Sequence, residues 1–190
     1  ARAGGAAPPV HARLIPTARS RLRHAPVPAA PPRGSAEDFA FLVGRWTVDH
    51  HRLVARDAGA HTWDSFPSEA VHTPHLDGLV NVEEIAFPTR GGRGLAVRTF
   101  VRATRRWAIY WVSSATGALD PPVIGGFVGD RGVFYGEDVD GDRPVRVRFV
   151  WTRLGPGAAR WEQAFAYDAD GGWETNWIMQ FRRPPARADG

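Results

Sequence analysis

The chain has no cysteine and, more unusually, no lysine. The first absence excludes disulfides, cysteine-ligated zinc, iron–sulfur clusters and thiol nucleophiles. The second excludes Schiff-base chemistry, lysine-dependent cofactors and the Gly-Lys-Ser/Thr phosphate loop. All 24 basic residues are arginine. With the excess of Ala, Gly and Pro, that pattern reads as coding bias of a GC-rich genome.

Other absences are local. Residues 1–36 hold six arginines but no acidic residue and no Trp, Phe or Tyr, and seven of the sixteen prolines fall there. Such a segment buries too little apolar surface to offset its ordering entropy, so a disordered tail is expected over 1–36. It has no apolar run of seven or more residues, so a secretory signal is not expected. An Arg-rich, acid-free leader also fits a targeting peptide, but this one has little serine, and a cytoplasmic location is expected. The missing initiator Met points to trimming. Residues 37–190 carry 18 arginines and 20 acidic residues. The pI near 10.5 therefore belongs to the tail, and the remainder is near neutral. No nucleic-acid or membrane partner is expected, because binding nucleic acid needs a basic patch on the folded part.

What is present is aromatic and strand-like. The organising stretch is Phe39 to Val54, FAFLVGRWTVDHHRLV. Ser35 with Asp38 three residues on is a loose N-cap signature, and Phe39, Phe41, Leu42 and Val43 then form a helical turn. Gly44 lets the chain bend. From Arg45 onward the period is two, with Trp46, Val48, His50, Arg52 and Val54 on one face.

Further strands are predicted at 61–71 (with a kink at Pro67), 79–87, 95–101, 107–113, 123–128, 132–137, 144–153, 160–167 and 173–183. Turn signals such as Asp140-Gly141 separate them. About ten such strands argue an all-β sandwich or barrel. A single antiparallel barrel over 37–184 is preferred, because short hairpins, an apolar N-terminal plug and many large rings suit a closed cylinder. Residues 185–190 are expected to be flexible.

Gly44-Arg45-Trp46 resembles the G-x-W signature of lipocalins and the wider calycin group. That resemblance implies a Trp at the closed end of the barrel with an arginine of the last strand, Arg182 or Arg183, across it. The ordered set FAFLVGRWTVDH, LVNVEE, WAIYWV, LDPPVIGGF, FYGED, RVRFVW and WEQAF…WETNWIMQF is similar to a bacterial family of lipocalin-like domains of unknown function. It covers roughly residues 38–183 and transfers no catalytic residue.

Eight tryptophans, none in the tail, are several times the usual density. Trp107, Trp111, Trp151, Trp161 and Trp177 fall at alternating positions together with Ile109, Phe149, Phe165, Met179 and Phe181. A barrel so lined accepts a flat or apolar ligand, or else the rings simply fill it. Asn81 and Glu83 share a strand face with Ile85 and Phe87. Glu83 is either a carboxyl with a raised pKa, fit for acid–base work, or half of an ion pair with Arg98 or Arg52. The candidate binding residues are therefore Asn81, Glu83, Arg98, Trp107, Trp111, Trp151, Trp161 and Trp177. The candidate catalytic residues are Glu83 and His50.

No metal and no cofactor are expected. His50 and His51 point to opposite faces, and His72 with His75 in a loop lacks a recognised third ligand, which His61 or Asp77 would have to supply. The long glycine-rich signature that accompanies haem ligation in distant lipocalin-like folds is missing. Asp138-Val-Asp140-Gly-Asp142 loosely resembles a calcium loop but reads better as an acidic hairpin tip. Glu162, Glu174 and Asn176 are expected on the outer face, able to engage Arg146 or Arg148 across strands.

The function expected is binding of a small, largely apolar or aromatic molecule in the barrel. The alternatives are a cyclase, isomerase or hydratase using the same cavity, or a protein–protein interaction module. The oligomeric state is open, with a homodimer among the options.

Overall fold

In the computed structural model, which describes residues 30–57, 59, 61–168 and 172–185, ten strands close into one antiparallel barrel. They are β1 (Gly44–Leu53), β2 (Trp63–His75), β3 (Val80–Ala86), β4 (Arg93–Val101), β5 (Arg106–Ser113), β6 (Val123–Val128), β7 (Arg131–Asp140), β8 (Arg143–Gly155), β9 (Ala158–Ala166) and β10 (Glu174–Arg182). Each pairs with its sequence neighbour, and β1 against β10 completes the ring, with Val48 opposite Phe181 on one side and Ser68 on the other. The all-β barrel read from the alternation is the fold observed.

The boundaries differ where proline misled. The second strand runs through Pro67 and Pro74 to His75. Pro67 has a partner only on β1, and Pro74 only on β3. Each sits where the strand has one neighbour, so a missing N–H can face the unpaired side. His72 is consequently a buried strand residue and no part of a loop.

One end of the barrel is plugged by its own chain. Ser35 N–H donates to the Asp38 carboxylate at 2.9 Å, and a single 3-10 turn, Ala40–Leu42, follows. Leu42 and Phe39 are fully buried. The Phe39 ring meets Trp107 edge-on at 4.9 Å and Phe127 at 5.3 Å. Gly44 then turns the chain into β1 at φ +106°, where a Cβ would lie 2.7 Å from Nη1 of Arg183. Only glycine fits both demands.

Trp46 is buried, and its Nε1–H donates to the Leu42 carbonyl at 2.6 Å. The Arg183 guanidinium lies 4.0 Å from the ring centroid and donates to the carbonyls of Phe41 (3.0 Å) and Val43 (2.6 Å). Of the two arginines considered for this position, Arg183 takes it. Arg182 faces outward and pairs with Asp49.

Residues 31–35, assigned to the tail by composition, lie against this end. Gly34 N–H donates to the Arg105 carbonyl (2.8 Å), Arg106 to that of Pro31 (3.0 Å), and Trp107 Nε1–H to that of Ser35 (2.9 Å). The rest of the expected tail, 1–29, and residues 186–190 of the expected flexible terminus lie outside the described residues. Among the described residues no helix is long and apolar enough to cross a membrane.

Candidate functional site

The opposite half of the barrel is hollow. Its cavity of about 290 Å³ is walled by Phe87, Ile109, Trp111, Phe149, Trp161 and Trp177, among others. The Trp111 ring reaches across β4 into the space that Gly94 leaves open. A Cβ there would fall 1.8 Å from the ring. Trp161 meets Trp177 edge-on at 5.8 Å and Phe149 at 4.8 Å, so three rings form one continuous wall. β5 and β6 pair over only three residues, and the chain between them brings Asp120 and Pro121 to the cavity.

The floor is charged. Arg98 is 2% exposed, with its guanidinium 5.1 Å from the Phe39 ring and 5.4 Å from the Trp151 ring. It forms an ion pair with Glu83 and donates to Asn81 Oδ1 at 2.8 Å. It also approaches His72 Nδ1 at 3.4 Å. A guanidinium only donates, so Nδ1 is the acceptor and His72 carries its proton on Nε2, 3.7 Å from Glu83 Oε1. Burial pushes the Glu83 carboxyl up, but Arg98 and His72 outweigh it and hold the pKa below the usual range. Glu83 is thus an ionised partner of Arg98, the second of the two roles open to it in the sequence.

His50 is equally committed. The Trp177 indole N–H donates to its Nδ1 at 3.0 Å, which fixes the proton on Nε2 facing Ser68 Oγ at 2.7 Å. Burial drives its pKa down to about 4, and that of His72 likewise to about 4. His50 stacks on Phe66 behind the cavity wall and does not line the cavity. Both ring nitrogens of His50 are thus engaged away from the cavity, and Glu83 is held as the carboxylate by Arg98.

Of the residues predicted to bind, Glu83, Arg98, Trp111, Trp151, Trp161 and Trp177 line the cavity. Asn81 lies beneath it as a support for Arg98. Trp107 belongs to the plugged half, where Phe39 and the Ser35 carbonyl hold it. Both are corrections to the sequence reading. Period two specifies an inward face but not the height along the barrel axis.

The sequence reading missed the mouth. Arg52 lines it, its guanidinium 4.7 Å from the Trp177 ring, with a pKa lowered by burial and by neighbouring Arg56. Arg56 pairs with Asp140, and Tyr167 O–H donates to the same carboxylate at 2.7 Å. Arg143 pairs with Asp57. These contacts tie the β1–β2 connection to the β7–β8 turn, whose strands are not neighbours in the barrel. The acidic run Asp138 to Asp142 is thus half of a clasp. Among the described residues no group of three His, Asp or Glu side chains converges to hold a metal. His72 and His75 are separated by strand parity, one buried and one exposed.

The outer face also departs from expectation. Arg146 and Arg148 lie over the Trp173 ring at 5.1 and 4.8 Å. Glu162 pairs with Arg160, and Glu174 accepts from Asp57 N–H. A register shift between Thr175 and Trp177 turns Asn176 inside, where it accepts from Gln163 at 2.9 Å. No protein-family model matches this chain, and no curated protein is significantly similar to it.

Proposed function

We propose that this barrel binds a small, largely apolar, ring-containing molecule in the open half of its interior. One observation carries the reading: the same closed cylinder is filled by Phe39, Leu42 and Trp107 at one end and left hollow behind Trp111, Trp161 and Trp177 at the other. A core built only for stability would fill both halves, because an empty volume forfeits dispersion contacts on every side. At about 290 Å³ the cavity is at the lower limit of ligand sites, which favours compounds of one or two rings. Aromatic walls supply stacking, and Glu83 with Arg98 presents one polar spot at the floor.

Binding is favoured over catalysis by the state of the two candidate acid–base groups. Glu83 is held as the carboxylate in an ion pair with Arg98, and both nitrogens of His50 are engaged. A screen of one- and two-ring compounds followed by tryptophan emission tests the proposal. Saturable quenching that weakens in Trp177→Leu and Trp161→Leu is the expected result. A library that leaves the emission unchanged would sink it.

A further inference from the structure

The connections β2–β3, β4–β5, β6–β7 and β8–β9 all lie at the plugged end, and each displays an aliphatic side chain to solvent. These are Leu76 (70% exposed), Val101, Val128 (72% exposed) and Leu154. Leu76 is also held at φ +48°, a left-handed conformation that costs a side-chain-bearing residue roughly 1–2 kcal/mol. Nothing in the packing of the barrel accounts for a leucine there.

The same end is basic. Arg33, Arg102, Arg105 and Arg131 are exposed around it. The bonds Gly34 N–H to Arg105 carbonyl and Arg106 to Pro31 carbonyl join residues 31–34 to the β4–β5 turn as one surface. A Cβ on Gly126 would lie 2.7 Å from the Arg33 backbone, so the surface continues onto β6, which ends at Val128. The acids of this end are Glu37, Asp77, Asp130 and the buried Asp38, which lies against Ser35 and Arg153, and Glu37 faces Arg102. The mouth is the opposite pole. Arg56, Arg90, Arg93 and Arg143 there are each paired with an acid, and with the further acids Asp120, Asp138, Asp142 and Glu174 the acids outnumber the arginines.

We infer that the plugged end docks on an anionic lipid surface, with the four aliphatic turn residues in the headgroup boundary and the arginines on lipid phosphates. Exposed apolar tips among cations fit an interface that is apolar below and anionic above, and two such signals together give stable attachment. A nucleic acid would satisfy the arginines but leave Leu76 and Val128 in water. Acids at the other pole are repelled from the same surface, so the cavity mouth faces away from the bilayer.

Co-sedimentation of the full-length protein with phosphatidylcholine vesicles, with and without phosphatidylglycerol, tests this. Binding is expected to the anionic vesicles only. Arg102→Gln with Arg105→Gln should weaken it about fivefold for each arginine removed. Leu76→Ser with Val128→Ser should weaken it about tenfold, as expected for losing partial burial of two aliphatic side chains. Unchanged thermal melts of both variants would show that the barrel is intact. The proposal is overturned if duplex DNA displaces the protein from vesicles while Leu76→Ser with Val128→Ser binds as the parent does. It is equally overturned if only replacement of the five arginines of residues 1–29 abolishes binding and the barrel substitutions are silent.

Discussion

Trp107 and Trp111 lie four residues apart on β5, both pointing inward, and they have different roles. Trp107 is wedged against Phe39, with its N–H taken by the Ser35 carbonyl. Trp111 lies over Gly94 with the cavity in front of it. The strand supplies the same ring with the same orientation in both halves. The difference is made by residues 31–43, which enter the barrel from one end and fill it only as far as Arg98. An inward tryptophan is core where another segment of chain meets it and wall where none does.

Acid should have the largest effect on this arrangement, and it acts at the boundary and just above it. His50 and His72 are buried with pKa values lowered from 6.5 to about 4. The unfolded chain therefore binds these protons at a higher pH than the folded one. Stability is complete above pH 6.5 and falls as the pH drops toward 4, by roughly 3 kcal/mol for each histidine. The lowered pKa of Glu83 acts in the same direction. Urea titrations across this range should show the slope, and His50→Gln should remove part of it. A flat profile would mean that the two histidines are hydrated.

Next come substitutions in the plugged half. Trp46→Ala should cost about 3–5 kcal/mol, as other large-to-small core changes do. Glu83→Ala should cost about as much by leaving the Arg98 charge unpaired, whereas replacing both by apolar residues should restore most of the loss. Denaturant midpoints for the single and double variants distinguish the charge effect from the cavity effect.

In the open half the order of effects should reverse. Trp177→Leu should cost about 1 kcal/mol of stability yet weaken a bound aromatic probe about tenfold, through lost stacking and the lost donor to His50. Equal stability losses for Trp46→Ala and Trp177→Ala would abolish the distinction between the halves. The smallest effect is expected at the clasp. Asp140→Asn should change stability by no more than about 1 kcal/mol, since its partners are partly exposed. Stopped-flow release of a bound probe should still become faster, because the tie between the β1–β2 connection and the β7–β8 turn is weakened.

Much of this was legible in the residues. Alternation at Trp46, Val48 and His50, at Asn81, Glu83 and Ile85, and at Val145, Val147, Phe149 and Trp151 placed each on its observed inward face. The Glu83–Arg98 pair was readable as one of two options, because a carboxylate with an inward arginine nearby seldom stays unpaired. The mouth was not legible. Arg56, Asp140 and Tyr167 stand 27 or more positions apart, and no local pattern announces contacts that form only when the cylinder closes. Asn176 was misplaced because a bulge on β10 interrupts the parity on which the assignment rested.

The sequence by itself determined the closed barrel, the plug at Phe39 to Trp46 and the inward rings, because period two and chain order are local properties carried by each strand. Tertiary structure alone decided which rings pack and which line a space, since that depends on how far the plug reaches. It also decided where charge accumulates. Residues 37–190 are nearly neutral when summed, yet arginine outnumbers acid at the plugged end and acid outnumbers arginine at the mouth. A sum over the chain carries no position, and the alternating ends of an antiparallel meander assign every second turn to the same pole.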